Sequence, residues 1–142
     1  MDYIQKEILL PSYSRGFHLI TNIIIDEITE IKNYLIGTIH IFIKHTSASL
    51  SINENSDKSV RNDLETFLNK LVPEDGNDFT HIMEGADDMP AHIKNSLLGT
   101  SIIIPITNGN LNLGTWQGIY LCEHRNNGGP RSLVITISGE NN

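Results

Sequence analysis

The segment LIGTIHIFIKH, residues 35–45, narrows the choice of fold more than any other part of the sequence. It is rich in β-branched residues, and Ile39, Ile41 and Ile43 recur at every second position, which predicts a strand with one buried face. Because successive side chains of a strand point to opposite faces, His45 ends this apolar, core-facing row. A histidine at that position needs either a hydrogen-bond partner or a bound ligand.

Similar patterns predict the remaining elements of the chain. Strands are expected at residues 6–11, 100–107, 111–124 and 131–138, with turns at NGN (108–110) and NNGGP (126–130). Helices are expected at 22–33 with Thr21 as the N-cap, at 56–73 with Asn55 or Ser56 as the cap, and at 90–98, ended by Gly99. The order of these elements predicts an α+β fold, a mostly antiparallel sheet with two or three helices packed on one side, in a single domain over residues 1–142.

Composition and charge exclude several classes of protein. Hydrophobic residues make up 39% and charged residues 19% of the chain, as in ordinary soluble globular proteins. The net charge of −7 and the scattered Lys and Arg residues argue against a nucleic acid partner, since phosphate binding needs clustered basic side chains. No apolar stretch is long enough to span a membrane, the N-terminus lacks signal-peptide character, and the single Cys122 permits no internal disulfide, so we expect a cytoplasmic protein. Cys122 falls within a strand pattern and is expected to be a buried core residue rather than a nucleophile.

The segment EGADDMPAHIKNS, residues 84–96, combines the signals of a helix start with polar side chains suited to chemistry. Asp87 or Asp88 is expected to cap this helix, because a carboxylate accepts hydrogen bonds from the free N–H groups of the first turn. Asp88 and His92 then lie four residues apart on one face of the helix. The same pair suits a helix cap, a metal site or a proton-transfer site. The preceding residues, 74–87, show no sustained periodicity, and long loops in small domains are often functional.

The six histidines form no HExxH or other local pair of metal ligands. A metal site would therefore be assembled from distant segments, with His45 and His92 and a carboxylate such as Asp88 as ligands of Zn²⁺ or Mn²⁺. The alternative for His45 is a hydrogen bond to the backbone at the end of its strand. Glu54, just before the second predicted helix, is either a general acid or base or a solvated carboxylate.

Polar residues at the predicted strand ends indicate possible contacts to a phosphate group. Thr46 and Ser47 offer hydroxyl groups directly after the first long strand, although the same residues also build Ser/Thr turns. Arg131 follows the GGP turn, next to glycines that expose backbone N–H groups, and is suited to clamp a phosphate. The alternative for Arg131 is an ion pair with Glu123.

Five motifs together carry a resemblance to a known family: SRGFHLIT, HTSASLSINEN, EGADDMPAHIKNSLLGTS, LGTWQGIYLCEHR and GGPRS. In their order and spacing they resemble the YjbQ family over nearly the whole chain. The resemblance implies a small α+β domain that assembles as a homotrimer. It also implies low-level thiamine-phosphate synthase activity, in which a pyrimidine methyl diphosphate is joined to a thiazole phosphate and pyrophosphate is expelled.

The resemblance further implies roles for individual residues. The catalytic residues would be His45, Glu54, Asp88 and His92, and His45, Asp88 and His92 would hold a divalent metal such as Zn, Mn or Mg. The residues that bind a phosphorylated small molecule would be Thr46, Ser47, Asn53, Lys94, Thr115, Gln117, Glu123 and Arg131. The metal, or Arg131 with Lys94, would neutralise the leaving diphosphate. A metal-dependent hydrolase or phosphatase and a non-enzymatic trimeric protein that binds a metal or metabolite are the alternatives.

Overall fold

The alternating residues of segment 35–45 do form a strand, and it lies in the middle of a five-stranded sheet in the computed structural model, which describes residues 1–141. In chain order the strands are β1 (Asp2–Leu9), β2 (Gly16–Leu19), β3 (Tyr34–Ile43), β4 (Ala48–Glu54), β5 (Ser101–Thr107), β6 (Asn110–Leu111), β7 (Gln117–Glu123) and β8 (Ser132–Asn141). The helices are α1 (Thr21–Glu27), α2 (Lys58–Leu71) and α3 (Asp88–Leu98), and a short 3-10 helix covers Thr29–Asn33.

The strands form two antiparallel sheets. The larger sheet has the order β1-β8-β3-β5-β6, and the smaller has the order β2-β7-β4. In the larger sheet Ile39 of β3 lies between Ile137 of β8 and Ile104 of β5, so one face carries a continuous isoleucine layer. This layer packs against Leu50 and Leu121 of the smaller sheet in a shared core.

The smaller sheet is buried on both faces, because the larger sheet covers one face and helices cover the other. Side chains of β7 alternate between the two sides, with Leu121 in the shared core and Tyr120 and Cys122 in a second cluster. That second cluster includes Leu68 of α2 and Leu98 of α3, so these helices cover the outer face of the smaller sheet. The predicted α+β fold with helices on one side is confirmed, and Cys122 is buried as expected. Within residues 1–141 no helix has the length and apolar character needed to cross a membrane.

Several predicted strand boundaries were wrong because long-range pairing decides them. The first strand runs over Asp2–Leu9 rather than 6–11, since every residue in it pairs with β8. Residues 16–19 and 48–54 were not predicted as strands, but they flank β7 on its two sides. The predicted strand 111–124 divides into β6, which pairs with β5 across the predicted turn, and β7, which lies in the smaller sheet, and the last strand extends to Asn141.

The helix predictions were right in place and wrong in detail. The predicted helix 22–33 divides into α1 and the 3-10 helix, and Thr21 does not cap it, because its Oγ1 accepts a hydrogen bond from the Ile119 N–H instead (2.9 Å). The cap of α2 is Asp57, whose carboxylate accepts the Ser59 N–H at 2.9 Å, rather than Asn55 or Ser56. Helix α3 ends before Gly99, as expected, but begins at Asp88, two residues before the predicted start at Pro90.

Candidate functional site

Asp88, the first residue of α3, is the centre of the strongest cluster of titratable groups. Its side chain is only 2% exposed, and its Oδ2 lies 3.0 Å from Nε2 of His92, one helical turn later. Nε2 of His81, in the loop before the helix, lies 2.6 Å from the same oxygen. The other carboxylate oxygen, Oδ1, pairs with Nη1 of Arg125 at 2.7 Å. Two imidazoles and one guanidinium therefore converge on one buried carboxylate.

Glu84 completes a set of four groups suited to hold a metal ion. One ligand atom from each of His81, Glu84, Asp88 and His92 lies within 4.8 Å of all the others. The Glu84 carboxylate is 3.6 Å from Nε2 of His81, and its side chain is exposed to solvent. We call these four residues the His–Asp–His–Glu group.

The hydrogen bonds of His92 determine which of its ring nitrogens faces Asp88. Its Nδ1 lies 2.8 Å from the Thr46 carbonyl oxygen, which can only accept, so Nδ1 carries the proton. In a neutral imidazole Nε2 is then a lone-pair acceptor, yet it faces the Asp88 carboxylate, which is also an acceptor. Either a proton or a bound cation must lie at Nε2. A ring nitrogen fixed by a backbone carbonyl, with the other nitrogen directed at a cation, is the usual arrangement of a metal-binding histidine.

Arg125 and Asp87 hold the loop of this group in place. Asp87 Oδ2 accepts hydrogen bonds from Arg125 Nε at 3.1 Å and from the Asn126 backbone N–H at 2.9 Å. Arg125 Nη2 also donates to the Glu84 carbonyl at 2.9 Å. Asp87 occupies the N-cap position of α3 but makes no capping hydrogen bond with its side chain, because these partners occupy it. The loop before α3 is thus tied to the segment after β7.

The electrostatics of the cluster favour ionised carboxylates. Burial raises the pKa of Asp88, but the hydrogen bond with His81 and the charges of His92 and Arg125 outweigh burial and leave it below its ordinary value. Burial acts in the same way on Asp87, and the Asn126 N–H and the Arg125 guanidinium bring its pKa below the ordinary value. Both carboxylates are therefore anions at neutral pH, as metal or cation binding requires.

His45 does not belong to the His–Asp–His–Glu group. The strand ends at Ile43, and Nε2 of His45 accepts the backbone N–H of Ser132 at 2.8 Å. Burial, followed by the positive charge of Arg131, lowers its pKa, which suits a neutral imidazole that accepts a hydrogen bond. The structure thus shows His45 bonded to the backbone, the alternative to a ligand role. Of the three predicted metal ligands, only Asp88 and His92 lie in the same cluster.

Arg131, Glu123 and Ser47 form a buried network with one another. Arg131 Nε and Nη2 donate to the two oxygens of Glu123 at 2.7 and 2.6 Å, and both side chains are buried. Arg131 Nη2 also donates to Ser47 Oγ at 3.0 Å. A Cβ on Gly128 would lie 2.5 Å from both Arg131 Nη2 and Glu123 Oε1, so the loop backbone closes over the pair. The ion pair with Glu123, which was the alternative to phosphate binding by Arg131, is therefore present. It uses the guanidinium that was predicted to clamp a phosphate.

Lys94 is directed at the neighbouring helix. Its Nζ donates to Oδ1 of Asn69 in α2 at 2.8 Å, and the side chain is fully buried. Burial, followed by the positive charge of Arg15, lowers the pKa of Lys94.

The remaining predicted residues lie at the far end of the smaller sheet. Glu54 pairs with Gln117 at one end of the β4–β7 ladder, whereas Ala48 pairs with Glu123 at the other, so the two ends are about 20 Å apart. Glu54 Oε2 accepts the N–H groups of Ser56 and Asp57, at 3.0 and 2.7 Å. It therefore shapes the entry to α2 and is not part of the His–Asp–His–Glu group.

Three further residues at that end make local hydrogen bonds. Asn53 Oδ1 accepts the Glu54 N–H at 2.7 Å, and Gln117 Oε1 accepts the Gly114 N–H at 2.8 Å. The Thr115 carbonyl accepts Nδ2 of Asn55 at 3.2 Å. Thr46 is exposed and takes part in the site through its carbonyl to His92 rather than its hydroxyl.

Sequence reasoning missed His81, Glu84 and Arg125. One signal was available, because Glu84, Asp88 and His92 follow each other at intervals of four residues. Glu84 and His81 precede the helix, however, and the direction of a side chain in an irregular loop cannot be derived from periodicity. Arg125 lies within the quoted motif LGTWQGIYLCEHR, but its two aspartate partners are 37 and 38 residues earlier in the chain.

Comparison with known proteins gives full-length matches. A family model described as "UPF0047 protein YjbQ-like" matches residues 6–140. The UPF0047 protein YjbQ of Escherichia coli O157:H7 is 49% identical over 138 residues, covering 97% of this chain and 99% of the relative. The UPF0047 protein MJ1081 of Methanocaldococcus jannaschii is 47% identical over 127 residues, covering 81% and 87%. The crystal structure of a YjbQ/UPF0047 family protein of Clostridium acetobutylicum, 38% identical, superposes with a TM-score of 0.81 over 94% of this chain and 99% of that one.

Proposed function

The chain belongs to the UPF0047 YjbQ-like family, and from that premise we propose that it is an enzyme that binds a divalent cation in the His–Asp–His–Glu group and acts on a phosphorylated small molecule. One observation carries the proposal. The Thr46 carbonyl fixes the proton of His92 on Nδ1, and Nε2 then faces a buried anion across 3.0 Å, a contact that requires positive charge between the two atoms.

The ligand set fits Zn²⁺ or Mn²⁺ better than Mg²⁺. Two imidazoles and two carboxylates form a mixed nitrogen and oxygen set, whereas Mg²⁺ prefers oxygen ligands in near-ideal octahedral geometry. Ligand atoms at about 2.1 Å from a metal are at most about 4.2 Å from one another. The four ligand atoms lie within 4.8 Å of one another, so small side-chain movements would bring them to coordination distance.

The residues around the group prepare it for an anionic substrate. A bound cation would neutralise charge on a phosphate or diphosphate and polarise its P–O bonds. Asp88 is held in place by Arg125 Nη1, and Arg125 is held by Asp87, so the buried carboxylate keeps its orientation. Glu84 is the most exposed of the four proposed ligands, at 63%, so it lies on the solvent side of the group.

The specific reaction that we propose is the synthase reaction implied by the family resemblance. A thiazole phosphate joins a pyrimidine methyl diphosphate, one C–N bond forms, one C–O bond breaks, and diphosphate leaves with the electron pair. Hydrolysis of a phosphate ester is the second candidate, because a divalent cation held by the His–Asp–His–Glu group would supply the chemistry that activates water. Pyrophosphate release that depends on both substrates supports the synthase, and phosphate release from one substrate alone supports the hydrolase. Binding of a metabolite without turnover supports a non-enzymatic role.

Metal content is the decisive measurement for this proposal. We expect about one Zn or Mn per chain by mass spectrometry of the purified protein, with the metal lost in His92→Ala and in His81→Ala. His45→Ala is the matched control, because it removes an imidazole outside the group, and we expect it to keep the metal. Equal metal content in His92→Ala and wild type, or no metal after exposure to Zn²⁺ and Mn²⁺, would contradict the proposal. Loss of the metal in both His45→Ala and His92→Ala, with the metal kept in His81→Ala, would favour the ligand set predicted from sequence.

We also propose that the chain acts as a homotrimer in the cytoplasm. The outer face of the larger sheet supports an oligomer, because it leaves Tyr3, Phe42 and Ile103 exposed. The unpaired thiol of Cys122 suits a reducing compartment. Light scattering coupled to size exclusion should give three times the chain mass of 15.9 kDa. A single-chain mass at micromolar concentration would refute the trimer.

A further inference from the structure

A second cleft, separate from the His–Asp–His–Glu group, lies between segment 13–19 and the first two turns of α2. Its volume is about 580 Å³, within the range of small-molecule pockets. The lining includes the motif SRGFHL, which the site described above does not use. None of the four proposed metal ligands lines this cleft.

The cleft is positively charged although the chain as a whole is acidic. Lys58, Arg61 and Arg15 line it together with a single carboxylate, that of Glu65. Within residues 1–141, Lys58 and Arg61 form no ion pair, whereas Arg15 pairs with Glu74 and with Glu65 (Nε to Oε1, 3.3 Å) and donates to Oδ1 of Asn69 at 2.7 Å. Because Arg15 is already paired with Glu65 and Glu74, Lys58 and Arg61 supply the positive charge that attracts anions to this cleft.

Arg61 lies near Asp57 but forms no ion pair with it within residues 1–141. Asp57 acts on Arg61 through its charge, but its carboxylate accepts the Ser59 N–H as the cap of α2. Lys58 and Arg61 lie in the first turn of this 14-residue helix, where the free N–H groups add further positive potential. An anion with several oxygen atoms could accept hydrogen bonds from both side chains.

The side chains of Tyr13 and His18 form an aromatic wall in the same cleft. The rings of Tyr13 and His18 have centroids 4.8 Å apart with 34° between their planes. His18 Nε2 donates to the Ser14 carbonyl at 2.6 Å, which fixes the ring and leaves Nδ1 as an acceptor. Strand β2 begins at Gly16, whose φ of +134° is one that side-chain-bearing residues rarely adopt. The wall is therefore already formed in the free protein.

We propose that this cleft binds a small planar metabolite that carries a phosphate group. The phosphate lies between Lys58 and Arg61, and the ring stacks against Tyr13 and His18. This site does not depend on the metal proposed above, because it shares no residue with the His–Asp–His–Glu group.

The first test uses phenyl phosphate as the probe and metal-free protein, so that the proposed metal site contributes nothing. Calorimetric titration should show binding, and Lys58→Gln and Arg61→Gln should each weaken it by about tenfold or more. Lys70→Gln is the matched control, because Lys70 is a basic residue in the last turn of the same helix and does not line the cleft. All three variants remove an exposed or half-exposed charge, and circular dichroism should show the same fold. Equal affinity in Arg61→Gln and Lys70→Gln, or no binding to the wild type, would overturn the proposal.

Two further variants test the two halves of the site separately. Tyr13→Ala should weaken binding of phenyl phosphate and leave binding of inorganic phosphate unchanged, because only the ring contacts the aromatic wall. Glu65→Gln should strengthen binding of both probes, since it removes the carboxylate that faces the anion. If inorganic phosphate and phenyl phosphate bind the wild type equally, the aromatic half of the proposal is wrong. If Glu65→Gln weakens both, the electrostatic half is wrong.

Discussion

Replacing Arg131 by alanine tests whether its ion pair with Glu123 holds the fold together. The guanidinium donates to both carboxylate oxygens, at 2.6 and 2.7 Å, and to Ser47 Oγ at 3.0 Å. Glu123 is 0% exposed, and in the variant the one donor left to it within residues 1–141 is the Arg125 backbone N–H at 3.2 Å. The substitution therefore leaves a buried anion without a counter-ion.

The expected cost is large on the scale of the total stability. Removing one partner of a buried ion pair costs about 3–5 kcal/mol, out of about 5–15 kcal/mol for a typical domain. With a urea m-value of about 2 kcal/mol/M, the unfolding midpoint of Arg131→Ala should fall by about 2 M. The double variant Arg131→Met with Glu123→Gln should recover at least about 2 kcal/mol, because neither position then carries an unpaired charge.

The assay is urea unfolding followed by tryptophan fluorescence, with an exposed ion pair as the control. Lys44 pairs with Glu7 at 2.8 Å, and these side chains are 49% and 54% exposed. Lys44→Ala should therefore cost no more than about 1 kcal/mol. If the midpoint of Arg131→Ala moves no further than that of Lys44→Ala, the pair is not structural. The guanidinium would then be available for a phosphate, as the sequence first suggested.

Three other predictions follow from the structure. Since hydrogen bonds hold the pKa of Asp87 below its ordinary value of 3.8, it stabilises the fold above about pH 4, and that contribution is lost as the pH falls through the lowered pKa. Acid unfolding of Asp87→Asn should be less steep than that of wild type over this range, and equal slopes would contradict the assignment. Gly128→Ala should cost about 1–3 kcal/mol in urea unfolding, because the added Cβ would lie 2.5 Å from Arg131 Nη2, and an unchanged midpoint would show that the loop simply moves. Burial raises the pKa of the Cys122 thiol, so a thiol reagent at pH 8 should label Cys122 only after unfolding, and rapid labelling of the folded protein would refute its burial.

Sequence periodicity predicted the elements whose residues carry their own pattern. The alternation of Ile39, Ile41 and Ile43 located β3, and the apolar spacing of residues 56–73 located α2. Segment 16–19 carries no such pattern, because GFHL is a strand only through its pairing with β7. The partner strand is about 100 residues away in the chain, so the pattern of residues 16–19 alone cannot predict the pairing.

The candidate site shows the same division between local and long-range information. Asp88 and His92 could be paired from sequence, since a four-residue interval places both on one helical face. The alternation of β3 predicted that His45 faces the core, but the strand ends two residues earlier. The His45 imidazole accepts a hydrogen bond from the Ser132 N–H instead. His81 reaches Asp88 because the loop folds back on the helix, and no periodic pattern encodes such a turn.

The order of strands in the larger sheet has a consequence for synthesis on the ribosome. β8 lies between β1 and β3, so the first strand to be made pairs with the last, and Leu9 with Ser132. At about 5–20 residues per second, β1 waits for about 6–25 s before its partner has been translated. During that interval the edges of β1 and β3 that later pair with β8 are both open to other chains. Slow translation of the last third of the message would therefore lengthen the time at risk of aggregation, and a stalled chain lacking β8 would keep both edges open.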